Sequence, residues 1–118
     1  MAQTQISNPH ISEISEKVLQ AAKDTLGDKL DKVILYGSYA RGDFDEESDI
    51  DFFILADVPQ EEVSKWDSAI YKRLLDLDLE NDILVQIGVT GCEIFYRFAD
   101  ILPFYMNVTK EGVELYVS

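Results

Sequence analysis

The sequence has almost none of the cysteine that small secreted or zinc-stabilised proteins use to hold a fold together. Only one of its 118 residues is a cysteine, Cys92. A single cysteine excludes an intrachain disulfide and a zinc site built from several thiolates. We therefore expect the protein to work in a reducing compartment, the cytoplasm.

Long apolar runs and a secretory leader are also missing. Residues 1–5, MAQTQ, do not form a basic segment followed by an apolar one. The longest apolar stretches fall far short of the roughly 18 residues that a membrane helix needs. The sequence thus predicts a protein that neither spans a membrane nor is secreted.

Basic side chains are scarce. Lys and Arg number 10 against 23 Asp and Glu, which gives a net charge of −13. Non-specific nucleic-acid binding depends on basic side chains that neutralise phosphates. Extensive nucleic-acid binding is therefore not expected, although a local basic spot stays open. At 47% hydrophobic and 28% charged residues the composition is typical of a folded domain.

The chain has no internal repeat, low-complexity tract or long linker, so we treat residues 1–118 as one domain. Apolar periodicity, β-preferring runs and Gly or Pro breaks predict the order α-β-β-α-β-α with a C-terminal tail. The predicted elements are a helix from Asn8-Pro9 to Gly27, strands at 32–36 and 49–55, a helix after Pro59, a strand at 83–89, an aromatic helix after a capping box at 90–93, a helix at 104–110 and a strand at 113–117.

Two carboxylates alternate along the second predicted strand. Asp49 and Asp51 are two residues apart, so they point to the same face with Cα atoms roughly 6.6 Å apart. Ile50, Phe52 and Ile54 then occupy the other face and belong to the core. Two carboxylates placed together repel unless a cation lies between them, and Mg²⁺ prefers carboxylates together with waters. This spacing predicts a magnesium site.

The preceding strand ends in Gly37-Ser38. A glycine lets a ligand approach the backbone, and N–H groups at the start of a helical turn favour a phosphate, helped by the Ser38 hydroxyl. Arg41 can add a positive charge there, although a surface loop charge explains it equally well. Walker A spacing and a Gly-x-Gly-x-x-Gly motif are both absent. The Gly37-Ser38 end of one strand and the carboxylates of Asp49 and Asp51 on the next together suit a nucleoside triphosphate with Mg²⁺.

Gly37-Ser38, then ten residues, then Asp49-x-Asp51 resembles the signature of the DNA polymerase beta-like nucleotidyltransferase superfamily, and within it the minimal nucleotidyltransferases. The resemblance implies an α+β nucleotidyltransferase fold, an αβαβαβ-type core with a mixed β-sheet flanked by helices. It also implies Mg²⁺ on the catalytic Asp49 and Asp51, and NTP phosphates, with ATP as the expected nucleotide, on Gly37, Ser38 and Arg41. The enzyme would transfer a nucleotidyl group to a hydroxyl and release pyrophosphate.

The chain departs from this family at the third carboxylate, which usually stands on the neighbouring strand. Asp82 is the best candidate for this catalytic role, although Asn81-Asp82 is also ordinary turn chemistry. Gln86 lies on the same strand face where a carboxylate is expected, and Gln cannot take a proton. An alternative hypothesis is therefore a catalytically degenerate module that binds NTP or a partner without turnover.

The family resemblance also suggests a partner. It implies a helical toxin-type protein of the HEPN class, with this chain as the antitoxin that modifies it. The net charge of −13 favours a protein hydroxyl over a nucleic-acid strand as the acceptor, because an acidic surface repels phosphates.

Overall fold

The computed structural model describes residues 2–3, 9–37, 49–81 and 85–118. Within these residues, five strands form one sheet in the order β1-β5-β2-β3-β4, and four α-helices pack around it. Single 3₁₀ turns occupy Gly27–Lys29 and Gln60–Glu62. The strands are β1 (Ala2–Gln3), β2 (Leu30–Tyr36), β3 (Ile50–Ala56), β4 (Val85–Gly91) and β5 (Val113–Val117), and the helices are α1 (Pro9–Leu26), α2 (Val63–Asn81), α3 (Cys92–Phe98) and α4 (Pro103–Glu111).

The sheet is mixed. Strand β2 runs antiparallel to both of its neighbours, β3 and β5, whereas β3 and β4 are parallel, as are β1 and β5. Parallel neighbours need a crossover connection, and α2 supplies it between β3 and β4. The predicted α+β class with a mixed sheet flanked by helices is confirmed.

The first helix forms where the apolar spacing predicts it. Ile11, Ile14, Val18 and Ala22 are all buried, so the apolar stripe faces the sheet. The helix ends at Leu26, and the next residue has the positive φ of +55° that glycine tolerates. No helix in the described ranges has the length and apolar character needed to cross a bilayer.

Strand β3 is buried on both faces. Ile50, Phe52 and Ile54 belong to the larger core cluster, with α1 and α2, as predicted. Phe53 and Leu55 lie on the opposite face in a second cluster, with Phe95 of α3 and Val108 of α4. Asp51 is two residues before Phe53 and therefore points toward the face that α3 and α4 cover.

Several boundaries differ from the prediction. The second predicted strand begins at Ile50 rather than at residue 49, and the third ends at Gly91 rather than at 89. The predicted capping box is wrong, because the N-cap of α3 is Gly91 without a side-chain cap and Thr90 stays in the strand. Pro103 begins α4, since its fixed φ suits the first turn of a helix.

The C-terminal strand β5 is an interior strand, the second in the order of the sheet. β5 pairs with β2 through contacts such as Leu35 with Val113, and it separates β2 from β1. The predicted tail is thus a paired strand next to the one that ends at Gly37. Helix α4, which precedes it, is consequently held against the end of β2.

Candidate active site

Three strand ends meet at one edge of the sheet. β2 ends at Tyr36, while β3 and β4 begin at Ile50 and Val85. The register pairs Tyr36 with Asp51, and Asp51 with Gln86. Because paired residues on neighbouring strands point to the same face, these three side chains form a row across the sheet.

The two predicted carboxylates influence each other. Asp51 is partly buried, and burial, followed by the negative charge of Asp49, raises the pKa of the Asp51 carboxyl. Asp49 lies immediately before β3 and is also partly buried. The expected convergence of Asp49 and Asp51 is therefore present, with the repulsion that a cation would relieve.

Gly37 fits against Asp51. Its φ of +79° lies in the left-handed region, and a Cβ at this position would stand 2.8 Å from Asp51 Oδ2. A side chain at position 37 would thus collide with the carboxylate. From the sequence, this glycine is expected to let a ligand approach the backbone. In the structure it also leaves room for the Asp51 carboxylate, which a Cβ would push aside.

Gln86 contacts the other carboxylate. Its Nε2 donates a 2.8 Å hydrogen bond to Asp49 Oδ2, across 37 residues of sequence. The amide thereby fixes the orientation of Asp49 and occupies one of its oxygens. Because Gln86 also pairs with Asp51 in the strand register, a neutral side chain stands where the family pattern places a third carboxylate.

The pair of carboxylates suits Mg²⁺. This ion is commonly held by one or two carboxylates together with waters and substrate phosphates, rather than by a full set of protein ligands. Among the residues that the structure describes, no group of three or more His, Cys, Asp or Glu side chains is placed to bind a metal. Asp49 and Asp51 are a pair of carboxylates, which is the kind of ligand set that Mg²⁺ takes together with waters and phosphates. Ser38, Arg41 and Asp82 lie outside the described residues.

Tyr36 is a site residue that sequence reasoning missed. Burial, followed by the charge of Asp51, raises the pKa of its phenol. Its ring packs edge-on against Phe104 and Phe53, with centroids 5.8 and 6.1 Å away. Its position before Gly37 was visible in the sequence, but its register partner Asp51 was not.

Cavities lie at both ends of the sheet. One of about 200 Å³ adjoins Tyr36 and Gly37, where β2 ends. A larger one of about 400 Å³ adjoins Asp57, Val58 and Gly91, where β3 and β4 end. The smaller cavity is the one beside the row formed by Tyr36, Asp51 and Gln86.

Comparison with protein families and curated proteins identifies relatives of the chain. The nucleotidyltransferase domain family matches residues 11–113. A protein of Methanocaldococcus jannaschii named as a protein adenylyltransferase is 41% identical over 106 residues, which are 87% of this chain and 99% of the relative. A second protein of that organism, named likewise, is 35% identical over 101 residues, with 86% and 93% covered.

Solved structures show the same fold. The crystal structure of a toxin–antitoxin with AMP-PNP matches with a TM-score of 0.54 and 20% identity, over 87% of this chain and 73% of that one. A nucleotidyltransferase structure from Sulfolobus solfataricus matches with a TM-score of 0.52 and 18% identity, over 97% and 93%. These matches confirm the expected fold.

Proposed function

Because the chain is a nucleotidyltransferase that belongs to the nucleotidyltransferase domain family, we propose that it transfers AMP from ATP to a hydroxyl group of a partner protein, with Mg²⁺ as cofactor. The observation that carries this proposal is the closeness of Gly37 to Asp51, where an added Cβ would stand 2.8 Å from Oδ2, at the edge where Asp49 and Gln86 also lie. We further propose that residues 1–118 act as one domain.

The proposed reaction needs an anchored triphosphate and a poised acceptor. The acceptor oxygen bonds to the α-phosphorus, the bond from that phosphorus to the bridging oxygen breaks, and pyrophosphate leaves. Asp49 and Asp51 would hold Mg²⁺, which supplies positive charge to the phosphate oxygens when bound. Gly37, Ser38 and Arg41 would bind the phosphates. The hydroxyl proton passes to Asp82 or to water, because the Gln86 amide cannot accept it.

A protein acceptor is supported by two observations. The relatives that are 41% and 35% identical are named as protein adenylyltransferases. The net charge of −13 disfavours a nucleic-acid strand, because like charges repel on approach. We therefore propose a Tyr, Ser or Thr hydroxyl as the acceptor group.

A toxin-type partner is supported by the structural comparisons. Proteins of the same fold were solved as toxin–antitoxin complexes, one of them with AMP-PNP. We propose that this chain is the antitoxin of such a pair, that its partner is a helical protein of the HEPN class, and that the pair acts in the cytoplasm.

Gln86 favours a second candidate function. Since a neutral amide contacts Asp49 where the family pattern has a carboxylate, the chain could hold Mg²⁺ and ATP without turnover. This alternative is a degenerate nucleotide-binding or interaction module of the same fold.

One experiment separates the two candidates. The protein is incubated with each of the four NTPs labelled at the α-phosphate, with Mg²⁺ and a cell lysate. Labelled protein from ATP supports transfer, and its modified residue is found by mass spectrometry. AMP-PNP binding without any labelled product supports the degenerate module, while labelled RNA without labelled protein contradicts the protein acceptor.

The matched variants are Asp51→Asn and Asp57→Asn. Both replace one carboxylate with an amide, but Asp57 is exposed at the opposite end of the sheet. Loss of labelling in Asp51→Asn alone supports the proposed metal site. Equal labelling in both variants would contradict it.

A further inference from the structure

The cavity at the end of β2 lies next to the proposed phosphate and metal site. It measures about 200 Å³, whereas pockets that bury a whole drug-sized ligand usually measure roughly 300–1,000 Å³. A space of this size suits one ring system of a larger ligand. Its described lining consists of Tyr36, Gly37, Phe104, Asn107, Val108 and Glu111.

The cavity is on the same face of the sheet as the carboxylates. Tyr36 pairs with Asp51 in the antiparallel register, so the two side chains point the same way. The Tyr36 ring packs against Phe104 of α4, which forms the other wall. A ligand whose phosphates lie at Gly37 can therefore extend directly into the cavity.

Phe104 is held in place and yet remains 48% exposed. Its ring meets Tyr36 at an interplanar angle of 81° and Phe53 at 71°, with centroids 5.8 and 5.7 Å away. A third ring, that of Tyr105, lies 6.0 Å away at 52°. Packing on these aromatic neighbours fixes the ring, while about half of the residue stays exposed. A fixed and open aromatic ring is the surface on which nucleobases stack.

The polar groups of the cavity suit a neutral ring better than a phosphate. Its described lining contains no Lys or Arg, so it offers a phosphate no cation. Asn107 offers an amide that donates and accepts, which matches the amino group and ring nitrogen along one edge of adenine.

We propose that the cavity between the end of β2 and α4 holds the adenine ring of the nucleotide, with Phe104 as its stacking surface and Asn107 at its polar edge. The inference rests on the proposed function and adds the position and chemistry of base recognition. In this arrangement the triphosphate lies over Gly37, which borders the cavity.

Calorimetry of nucleotide binding by the full chain tests the proposal. The probes are AMP-PNP and inorganic tripolyphosphate, each with Mg²⁺. Phe104→Leu keeps an apolar side chain but removes the ring, so we expect about tenfold weaker AMP-PNP binding and unchanged tripolyphosphate binding. Phe104→Trp keeps an aromatic ring, so it should bind AMP-PNP about as well as the unaltered protein does. Met106→Leu is the control, because Met106 is exposed on α4 outside the cavity lining.

A second variant tests base recognition. Asn107→Leu should reduce the preference for AMP-PNP over GMP-PNP, again with tripolyphosphate binding unchanged. AMP-PNP binding that is equal in the unaltered protein and in Phe104→Leu overturns the inference and leaves the proposed function standing. If Phe104→Leu binds AMP-PNP normally but no longer labels the acceptor, the cavity holds the acceptor side chain instead. That result also overturns the inference. Absence of AMP-PNP binding by the unaltered protein overturns both.

Discussion

The side-chain amide of Gln86 donates a hydrogen bond of 2.8 Å to Oδ2 of Asp49. This bond joins the residue before β3 to the second residue of β4, at the edge where Asp51 and Gly37 also lie. It orients one proposed metal ligand without adding a negative charge. The described part of the site therefore contains two carboxylates, Asp49 and Asp51, and the neutral amide of Gln86 beside them.

The Gln86→Glu substitution tests the contact between Gln86 and Asp49 by its effect on the free energy of unfolding. A third carboxylate would repel Asp49 and remove the hydrogen bond, so we expect the free energy of unfolding to fall by about 1 kcal/mol without metal. Mg²⁺ should restore it, with a larger rise in Tm than in the unaltered protein. Gln86→Met is the neutral control of similar size. Equal Mg²⁺ effects in all three proteins would contradict the metal site.

Asp51→Asn should lower transfer at least about 100-fold, because a metal ligand contributes several kcal/mol to transition-state stabilisation. The fold should persist, since Asn removes the repulsion with Asp49 that contributes to the raised pKa of Asp51. Initial rates with labelled ATP and thermal unfolding without Mg²⁺ measure the two effects. A variant that keeps its rate would remove Asp51 from the site.

Gly37→Ala and Gly27→Ala form a matched pair. Both glycines have positive φ, +79° and +55°, so alanine strains each backbone by about 1 kcal/mol. Only at position 37 does the added Cβ meet an atom, Oδ2 of Asp51 at 2.8 Å, while nothing lies within 4 Å at Gly27. Urea unfolding should show a loss of about 1 kcal/mol for Gly27→Ala and a larger one for Gly37→Ala, because the Asp51 carboxylate must also turn away from the new Cβ.

A double variant identifies the cause of the larger loss. Shortening Asp51 to Ala removes the colliding oxygen, so part of the cost of Gly37→Ala should disappear in that background. A cost that is the same in both backgrounds would show that backbone strain alone is responsible.

Cys92 should alkylate slowly. Burial first, and then the charges of Asp31 and Asp57, raise the pKa of its thiol. A raised pKa means less thiolate at neutral pH, so iodoacetamide should react more slowly than with N-acetylcysteine, and the rate should rise at a higher pH than for that reference. Mass spectrometry over time measures both rates. Faster alkylation than the reference at pH 7 would contradict the burial of this thiol.

Local patterns in the sequence predict much of the fold. The helical stripe of Ile11, Ile14 and Val18 is buried as expected, because amphipathic periodicity records which face meets the core. The alternation around Ile50 and Phe52 likewise predicts which face of β3 packs against α1 and α2. Boundaries at Gly91 and Pro103 were wrong, because a residue that can end one element can also begin the next.

Short stretches of the sequence are enough to predict the groups at this edge, namely two carboxylates two residues apart on a strand and a glycine at the end of the strand before it. Such features are local, since alternation and backbone freedom depend on neighbours in the chain. Tertiary packing, by contrast, brings Gln86 to Asp49, Asp51 to the space beside Gly37, and Phe104 to Tyr36. Those contacts depend on strand register and on the placement of β5 next to β2, which follow from packing the whole core.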